Sequence, residues 1–179
     1  MNKVILLDRD GVINADSINY IRCEEDFNFL PGSKEAIARL TQLGYQLGIA
    51  TNQSGVSRGY YTEQTLLSIH QKMLSELQLV GGEIAAIEYC IHMPEEGCKC
   101  RKPQPGLLLG LAKKLACSLE GVHFVGDRVS DIQAAMAAGA TPVMVLSPMT
   151  DRAGLMNYPE VPVFHSLLDY VRSLDKLHD

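Results

Sequence analysis

The sequence has no run of apolar residues approaching the roughly 20 that a membrane-spanning helix requires. The apolar run near its N-terminus is short and is followed at once by acidic residues, which is unlike a signal peptide. We therefore expect no membrane partner and a cytoplasmic location.

An excess of positive charge is also missing. Lysine and arginine number 16 against 21 aspartate and glutamate, which gives a formal net charge of −5 and a pI near 5.5. Because nucleic-acid binding usually needs a basic surface, no nucleic-acid partner is expected. A small anion can still bind wherever a few cations or a metal ion are concentrated.

Internal repeats and low-complexity tracts are absent as well. The composition, 46% hydrophobic and 21% charged, is that of a globular protein. A chain of 179 residues is long enough for one domain with a sizeable core, so we predict a single domain over residues 1–179. We expect it to be a monomer.

Two acidic residues follow the first predicted strand. Residues 4–7 are apolar, as in a strand buried on both faces, and Asp8, Arg9 and Asp10 come directly after them. The chain is therefore predicted to leave the sheet there, at the carboxyl edge, where open α/β sheets bind ligands. Gly11 would permit a sharp exit. Taken alone, the segment is equally well explained as a polar turn.

The rest of the chain alternates between strand and helix patterns. This alternation predicts an α/β fold, a Rossmann-like three-layer sandwich with a mainly parallel sheet. Ser33 is expected to cap the first helix, and His70 is expected to be a structural residue of the second helix. Further strands are predicted at residues 45–50, 84–91, 123–125 and 142–146, the last being the final strand. Further helices are predicted after Thr62 and at residues 106–115, 132–138 and 167–177.

A cluster of small hydrogen-bonding residues follows the second predicted strand. It consists of Thr51, Asn52, Gln53 and Ser54. One interpretation is a loop rich in turn-forming residues, and the other is a cradle for phosphate oxygens. Arg58 would add a positive charge to such a cradle.

Cysteine and histidine form a pattern typical of a metal site. The pattern C-x-H, five residues and then C-x-C is made by Cys90, His92, Cys98 and Cys100. Three thiolates and one imidazole match a closed tetrahedral zinc site, which is structural because it leaves no open position. The alternative is a chance grouping of reduced thiols. Cys23 and Cys117 have no partner pattern and are interpreted as ordinary thiols.

Two cations, Arg101 and Lys102, follow the cysteine pattern directly, and an acidic pair, Asp127 and Asp131, follows the strand predicted at 123–125. If the strand ends meet, these acids join the first acidic pair, and four neighbouring carboxylates repel one another. A Mg²⁺ ion would offset this repulsion, and it prefers carboxylates together with phosphate oxygens. The set is therefore suited to phosphoryl transfer.

Four segments together resemble the motifs of the haloacid dehalogenase (HAD) superfamily phosphatases, in the same order and over nearly the whole chain. They are Asp8-x-Asp10-Gly11, Thr51-Asn52, Lys102-Pro103 and Gly126-Asp127-x-x-x-Asp131. The resemblance implies a HAD-type fold. The spacing between the first two motifs leaves no room for a large cap domain.

The resemblance also implies catalytic roles. Asp8 would be the nucleophile that forms an aspartyl-phosphate, and Asp10 would protonate the leaving oxygen and then activate water. Thr51 and Lys102 would bind the transferred phosphoryl group.

The implied magnesium ligands are the Asp8 carboxylate, the main-chain carbonyl of Asp10 and the Asp127 carboxylate. Asp131 is expected to orient its neighbours rather than to bind the metal.

A finer resemblance is to the branch of that superfamily that dephosphorylates heptose bisphosphates. It is carried by residues 7–14, by residues 51–59 and by the zinc pattern that continues into Arg101 and Lys102. It implies removal of the 7-phosphate from a heptose 1,7-bisphosphate, with Arg101 and Arg128 binding the substrate. The segment from Asp16 to Tyr20 resembles the substrate loop, with one extra residue.

Three alternatives stay open. Histidinol phosphate is the other substrate to consider, because phosphatases acting on it have a similar zinc loop and C-x-C-R-K-P stretch. A non-catalytic phospho-acceptor module of the signalling type also has an N-terminal acidic pair, although the zinc pattern and Thr51-Asn52 fit it poorly. The third alternative is a zinc-dependent interaction protein with an inactive site, which the complete set of acids disfavours.

Overall fold

A six-stranded parallel sheet forms the centre of the computed structural model, which describes residues 3–178. The strands are β1 (Val4–Leu7), β2 (Gln46–Asn52), β3 (Ala86–Cys90), β4 (His123–Gly126), β5 (Thr141–Val145) and β6 (Val163–Phe164). The helices are α1 (Ser33–Gln42), α2 (Glu63–Leu79), α3 (Gly106–Lys114), α4 (Val129–Ala138), α5 (Arg152–Leu155) and α6 (Leu167–His178). The spatial order β3-β2-β1-β4-β5-β6 is that of a Rossmann-type sheet.

Strand β1 lies between β2 and β4, and the strand order reverses beside it. Leu7 pairs with Ile49 of β2 and with Val125 of β4. All four residues of β1 are at most 5% exposed, as expected for a strand covered on both faces. The residue after Leu7 therefore emerges at the carboxyl edge between two neighbouring strand ends, which is where such sheets bind ligands.

Helices cover both faces of the sheet and produce the predicted three layers. One core, which includes Ile37, Ile69 and Tyr170, packs α1, α2 and α6 against one face. The other core, which includes Leu108 and Ala134, packs α3 and α4 against the opposite face. Each buried aliphatic side chain of this kind contributes about 1.5–3 kcal/mol through its removal from water. Among residues 3–178 no inserted domain covers the carboxyl edge of the sheet.

Two local predictions were wrong. The strand at 142–146 is not the final one, because β6 follows it at the edge of the sheet and is too short, at two residues, to show a periodic pattern. The cap of α1 is Gly32 rather than Ser33, since Gly32 has the left-handed conformation and Ser33 is the first helical residue. The Ser33 hydroxyl instead donates to the carbonyl of Val12 and so ties α1 to the segment after β1.

None of the helices between residues 3 and 178 combines the length and the apolar character that crossing a membrane would require.

Candidate active site

Asp8 lies at the end of β1 and is 6% exposed. Its Oδ1 atom accepts hydrogen bonds from the main-chain N–H of Arg9 at 2.8 Å and from Nζ of Lys102 at 2.9 Å. The carboxylate also lines a cavity of about 610 Å³ at the carboxyl edge of the sheet. Asp8 is therefore a buried carboxylate, held at one oxygen, at the floor of an open cavity.

Asp10 lines the same cavity and is held from two sides. Its Oδ1 atom accepts hydrogen bonds from Arg9 Nε and Nη2, at 3.0 and 2.7 Å, and from Asn14 Nδ2 at 2.9 Å. Its Oδ2 atom accepts from Gln53 Nε2 at 3.0 Å. Burial raises the pKa of Asp10, but the Arg9 charge and these hydrogen bonds outweigh burial and bring the pKa below its usual value. Without substrate, Asp10 is a carboxylate.

Asp127 follows β4 and is fully buried. Ser147, which lies just after β5, donates to its Oδ2 atom at 2.7 Å. Its Oδ1 atom is buried and takes no hydrogen bond from any residue between 3 and 178. Burial, together with the nearby Asp131 carboxylate, raises the pKa of Asp127 to about 6. A buried carboxylate oxygen without a donor is costly, so this atom suits a bound cation.

Gly11 explains how Asp127 comes so close to β1. Gly11 has a φ of +86°, and a Cβ placed on it would lie 2.1 Å from Asp127 Oδ2. Both the left-handed backbone and the contact exclude a side chain at this position. Gly11 therefore allows the carboxylates of Asp8 and Asp127 to approach each other.

Lys102 neutralises part of this charge from the opposite side. Its Nζ atom lies 2.9 Å from Asp8 Oδ1 and 2.8 Å from Asp131 Oδ1, and it donates to the carbonyl of Ala50 at 2.9 Å. Burial lowers the pKa of Lys102, but the two carboxylates outweigh burial and raise it, so the ammonium stays charged. Burial and the Asp131 charge still raise the pKa of Asp8 well above its usual value, because one lysine does not compensate three buried acids.

Asp131 has both carboxylate oxygens occupied by protein donors. Oδ1 is paired with Lys102, and Oδ2 accepts from the main-chain N–H groups of Asp127 and Arg128, each at 3.1 Å. Ligand atoms of Asp8, Asp127 and Asp131 lie within 4.8 Å of one another. Since Asp131 is already saturated and Asp127 Oδ1 is free of donors, Asp8 and Asp127 are the carboxylates that fit Mg²⁺. The Asp10 side chain is engaged with Arg9, which leaves its main-chain carbonyl as the group that Asp10 can offer.

The polar residues at the end of β2 and just after it hold their neighbours, and Asn52, Gln53 and Ser54 also line the cavity. Both ends of the Asn52 amide bond the main chain of Lys102, at 3.0 and 3.1 Å. The Thr51 hydroxyl is buried and accepts from Gln53 Nε2 at 2.9 Å. Gln53 Oε1 in turn accepts from the Tyr61 hydroxyl at 2.8 Å. Ser54 lines the cavity and receives a hydrogen bond from Arg58 Nε at 3.3 Å.

The cysteine and histidine residues converge beyond the end of β3. Cys90 Sγ lies 3.2 Å from His92 Nδ1, 3.6 Å from Cys98 Sγ and 3.1 Å from Cys100 Sγ. All four ligand atoms lie within 4.8 Å of one another. A tetrahedral metal ion with metal–sulfur bonds of about 2.3 Å separates its ligand sulfurs by about 3.7 Å, which is close to these distances. The cluster can therefore bind a metal ion.

This cluster continues directly into the active site. The main-chain N–H of Arg101 donates to Cys98 Sγ at 3.4 Å, and the Arg101 guanidinium donates to the carbonyl of His92. Lys102, the next residue, contacts Asp8. A metal ion in the cluster would therefore fix a cation at the mouth of the cavity and a second cation at its floor.

Three arginines and the segment from Asp16 to Tyr20 surround the outer part of the cavity. Arg58, Arg101 and Arg128 all line it. Arg128 Nη2 pairs with Asp16 Oδ2 at 2.9 Å, which connects α4 to this segment. Tyr20 also lines the cavity, with its ring centroid 5.1 Å from that of Tyr60.

Several residues of the site were not predicted to be site residues. Asn14, Tyr61 and Ser147 bond Asp10, Gln53 and Asp127 respectively. Ser147 could have been found, because it is a polar residue directly after a strand. Arg9 and His70, whose side chains lie 3.1 Å apart, are both buried; Arg9 belongs to the motif at residues 7–14 but was given no role, and His70 gave no signal.

A Rossmann-type parallel sheet with a buried aspartate after β1, a lysine on its carboxylate and a second acid after β4 defines a HAD-like phosphatase. The chain is 45% identical over 173 residues to a D-glycero-beta-D-manno-heptose-1,7-bisphosphate 7-phosphatase of Pseudomonas putida, covering 96% of this chain and 99% of the relative. The chain belongs to this family of HAD-type phosphatases.

Further comparisons agree with this membership. The HAD-hydrolase-like family model matches residues 99–172. A phosphatase of the same name from Bordetella bronchiseptica is 47% identical over 143 residues, 80% of each chain. A crystal structure of D,D-heptose 1,7-bisphosphate phosphatase from B. bronchiseptica, complexed with magnesium and phosphate, superimposes with a TM-score of 0.92, at 40% identity and 99% coverage of both chains.

Proposed function

We propose that the protein removes the 7-phosphate from D-glycero-β-D-manno-heptose 1,7-bisphosphate in a magnesium-dependent reaction, on the route to ADP-heptose and the lipopolysaccharide core. The names of its relatives support the substrate. The observation that carries the choice of a bisphosphate is the cavity itself: Asp8 and Lys102 lie at its floor, and Arg58, Arg101 and Arg128 line its outer part. The three outer arginines suit a second phosphate, at the far end of the substrate from the phosphate that Asp8 attacks.

The reaction begins at Asp8. Its carboxylate oxygen attacks phosphorus, and the bond from phosphorus to the sugar oxygen breaks as the aspartyl-phosphate forms. Asp10 gives its proton to the leaving sugar oxygen. It then takes a proton from water, whose oxygen attacks the aspartyl-phosphate and releases inorganic phosphate and free Asp8. Each proton that Asp10 gives is thus recovered in the second step.

Asp10 needs a proton in the first step, although Arg9 holds its pKa low in the free protein. The dianionic substrate phosphate, once bound beside Asp10, opposes the charge of Arg9 and raises that pKa. Lys102, which is charged in the free site, and the hydroxyl of Thr51 are the proposed partners of the phosphoryl oxygens.

Asp8, Asp127 and the main-chain carbonyl of Asp10 would hold Mg²⁺, as the donor-free Asp127 oxygen supports. When bound, the ion supplies positive charge that offsets the crowded carboxylates and the incoming phosphate. Asp131 orients the loop after β4 and shares Lys102 with Asp8.

Zinc is the metal proposed for the cluster of Cys90, His92, Cys98 and Cys100. Its four protein ligands leave no open position, so its role is structural. The thiol ligands also suit a reducing compartment, which supports the cytoplasmic location. A monomeric state is part of the same proposal.

The outer arginines distinguish this substrate from histidinol phosphate. The distal end of histidinol phosphate carries an ammonium group, which Arg58, Arg101 and Arg128 would repel, whereas a second phosphate would be attracted. Arg101 and Arg128 are the proposed partners of that phosphate, and Arg128 would exchange its bond with Asp16 for a bond with the substrate. Asp16 and Tyr20 would then contact the sugar.

The test compares magnesium-dependent phosphate release from heptose 1,7-bisphosphate and from histidinol phosphate, with ³¹P NMR to identify the phosphate that is lost. We expect higher kcat/KM for the bisphosphate and loss of its 7-phosphate. Asp8→Asn should reduce turnover by at least about 10³-fold. Asp175→Asn, at a remote ion pair with Arg39, is the control and should keep full turnover. A preference for histidinol phosphate would overturn the proposed substrate.

A further inference from the structure

Arg9 is a buried charge beside the proposed acid–base residue. Its side chain has no solvent exposure, and its guanidinium carbon lies 5.8 Å from the ring centroid of Phe27. It therefore cannot contact a substrate in the cavity. A buried guanidinium is stable only when its donors are bonded, so the acceptors around Arg9 determine where the group lies.

Those acceptors are Asp10 and His70. Nε and Nη2 of Arg9 both donate to Oδ1 of Asp10, and Nη1 lies 3.1 Å from Nε2 of His70, which comes from α2. His70 is 4% exposed, and burial together with the positive charge of Arg9 lowers its pKa to about 3. The imidazole is therefore neutral and accepts the hydrogen bond at Nε2, with its proton on Nδ1.

The second oxygen of Asp10 is held from another direction. Gln53 Nε2 donates to Oδ2, and the Tyr61 hydroxyl fixes the other end of the Gln53 amide. Two chains of hydrogen bonds thus meet at the Asp10 carboxylate, one from His70 through Arg9 and one from Tyr61 through Gln53, and Asn14 adds a single hydrogen bond to Oδ1. A carboxylate held at both oxygens has one orientation relative to the cavity.

We propose that His70 is a positioning residue of the phosphatase reaction, which fixes the Arg9 guanidinium on Oδ1 of Asp10 and so keeps Oδ2 in place at the cavity. The inference rests on the proposed acid–base role of Asp10. Without the His70 acceptor, Nη1 of Arg9 has no partner, so the guanidinium shifts toward another acceptor. The Asp10 carboxylate, which is bonded to that guanidinium through Oδ1, shifts with it. The proton that Asp10 gives to the leaving sugar oxygen is then misplaced, while the groups that bind the substrate phosphates are unaffected.

The test replaces His70 with a residue that cannot accept a hydrogen bond and with one that can. His70→Leu should lower kcat by about 10- to 100-fold, which is the usual effect of misplacing a reacting group, with KM within about twofold of the wild type. His70→Gln retains a neutral acceptor and should recover most of the lost kcat. Ile69→Val, at a buried neighbour on the same helix, controls for the loss of packing and should keep the wild-type kcat.

A double-mutant cycle separates positioning through Arg9 from a general structural effect. In an Arg9→Met background, His70→Leu should change kcat by less than about twofold, because the residue through which His70 acts is gone. If Arg9→Met does not fold, the comparison of His70→Leu with His70→Gln decides the question.

A wild-type kcat in folded His70→Leu, or equal losses in His70→Leu and His70→Gln, would overturn the inference. Additive effects in the double variant would do the same. These outcomes differ from failure of the proposed function, in which the wild-type protein itself does not turn over heptose bisphosphate. In that case the same variants are compared on whichever phosphate ester the wild type hydrolyses.

Discussion

At the scale of single residues, the site is dominated by three buried acids, Asp8, Asp127 and Asp131, whose carboxylates lie close together. Asp8 and Asp127 both have pKa values above the usual range, and burial is the first cause for each. Lys102 compensates part of this charge, and one oxygen of Asp127 is without a donor among residues 3–178. The repulsion between these buried carboxylates therefore destabilises the protein, and a bound divalent cation would offset it.

Gly11→Ala tests whether Asp127 must approach β1. The new Cβ would meet Asp127 Oδ2 and displace it, so the Mg²⁺ concentration for half-maximal activity should rise by about 10- to 100-fold. Gly121→Ala is the matched control, because Gly121 also has a positive φ, +75°, but nothing lies within 4 Å of its Cβ position. Equal magnesium dependence in the two variants would contradict the argument.

Lys102→Met tests the buried cation. Removing one partner leaves the carboxylates of Asp8 and Asp131 uncompensated, so the free energy of unfolding in magnesium-free buffer should fall by about 3–5 kcal/mol at pH 7. Lys114→Met removes an exposed pair with Glu88 and should cost less than about 1 kcal/mol. Urea denaturation measures both. A Lys102 variant as stable as the Lys114 variant would show that the pair contributes little.

At the scale of elements, the segment from the end of β3 to the start of α3 connects the metal-type cluster to the cavity. Only Arg101 separates Cys100 from Lys102, and Asn52 bonds the main chain of Lys102 from the end of β2. Gly106, the first residue of α3, donates its N–H to the carbonyl of Lys99. Hydrogen bonds thus hold the part of the segment nearest α3, whereas the part from His92 to Cys98 depends on the cluster.

Cys98→Ser should remove the metal ion and loosen this segment. We expect about one zinc per chain in the wild type by elemental analysis and far less in the variant, with a higher KM as Arg101 loses its position. Cys117→Ser changes a thiol outside the cluster and should keep both the metal and the KM. Metal-free wild-type protein with an unchanged KM in Cys98→Ser would contradict the structural role.

At the scale of the whole molecule, the parallel sheet collects residues that are far apart in sequence. The ends of β1, β2 and β4 bring Asp8, Thr51 and Asp127 to one edge, while two cores hold the helices on the faces. Because of the charge gathered there, we expect the stability of the entire fold to depend on pH and on magnesium.

The stability of the magnesium-free protein should fall as pH rises from about 4 to about 6. The folded-state pKa of Asp127 is about 6, above its usual 3.8, so the folded state binds the proton more tightly than the unfolded state does. The resulting penalty is absent below the lower value, complete above the higher one, and amounts to up to about 3 kcal/mol. Mg²⁺ should therefore raise Tm more at pH 7 than at pH 4.

The measurement is thermal unfolding after gel filtration into magnesium-free buffer, which avoids a chelator that would also strip the cysteine cluster. Asp127→Asn is the control, because it should show a smaller dependence on pH between 4 and 6 and a smaller gain from Mg²⁺. A wild-type Tm that Mg²⁺ leaves unchanged at pH 7 would count against the magnesium site.

Much of the fold followed from local patterns. The apolar run before Asp8, the turn-forming residues after β2 and the capping Thr62 each act over a few residues, and the parallel α/β sandwich was confirmed. The prediction of a final strand at 142–146 failed because β6 has only two residues. Such a short strand is defined by its pairing with β5, which no local pattern reveals.

The sequence by itself indicated phosphoryl transfer, because charged residues that interrupt buried strands must emerge at one sheet edge, and the resemblance of its four motifs to those of HAD phosphatases indicated the class of the protein. Only the tertiary structure decided how those groups pair. In the folded protein the Asn52 amide bonds the main chain of Lys102, and His70 of α2 accepts a hydrogen bond from Arg9. The physical reason is that hydrogen bonds between buried groups depend on how helices and loops pack across the sheet, over separations in sequence that no periodicity encodes.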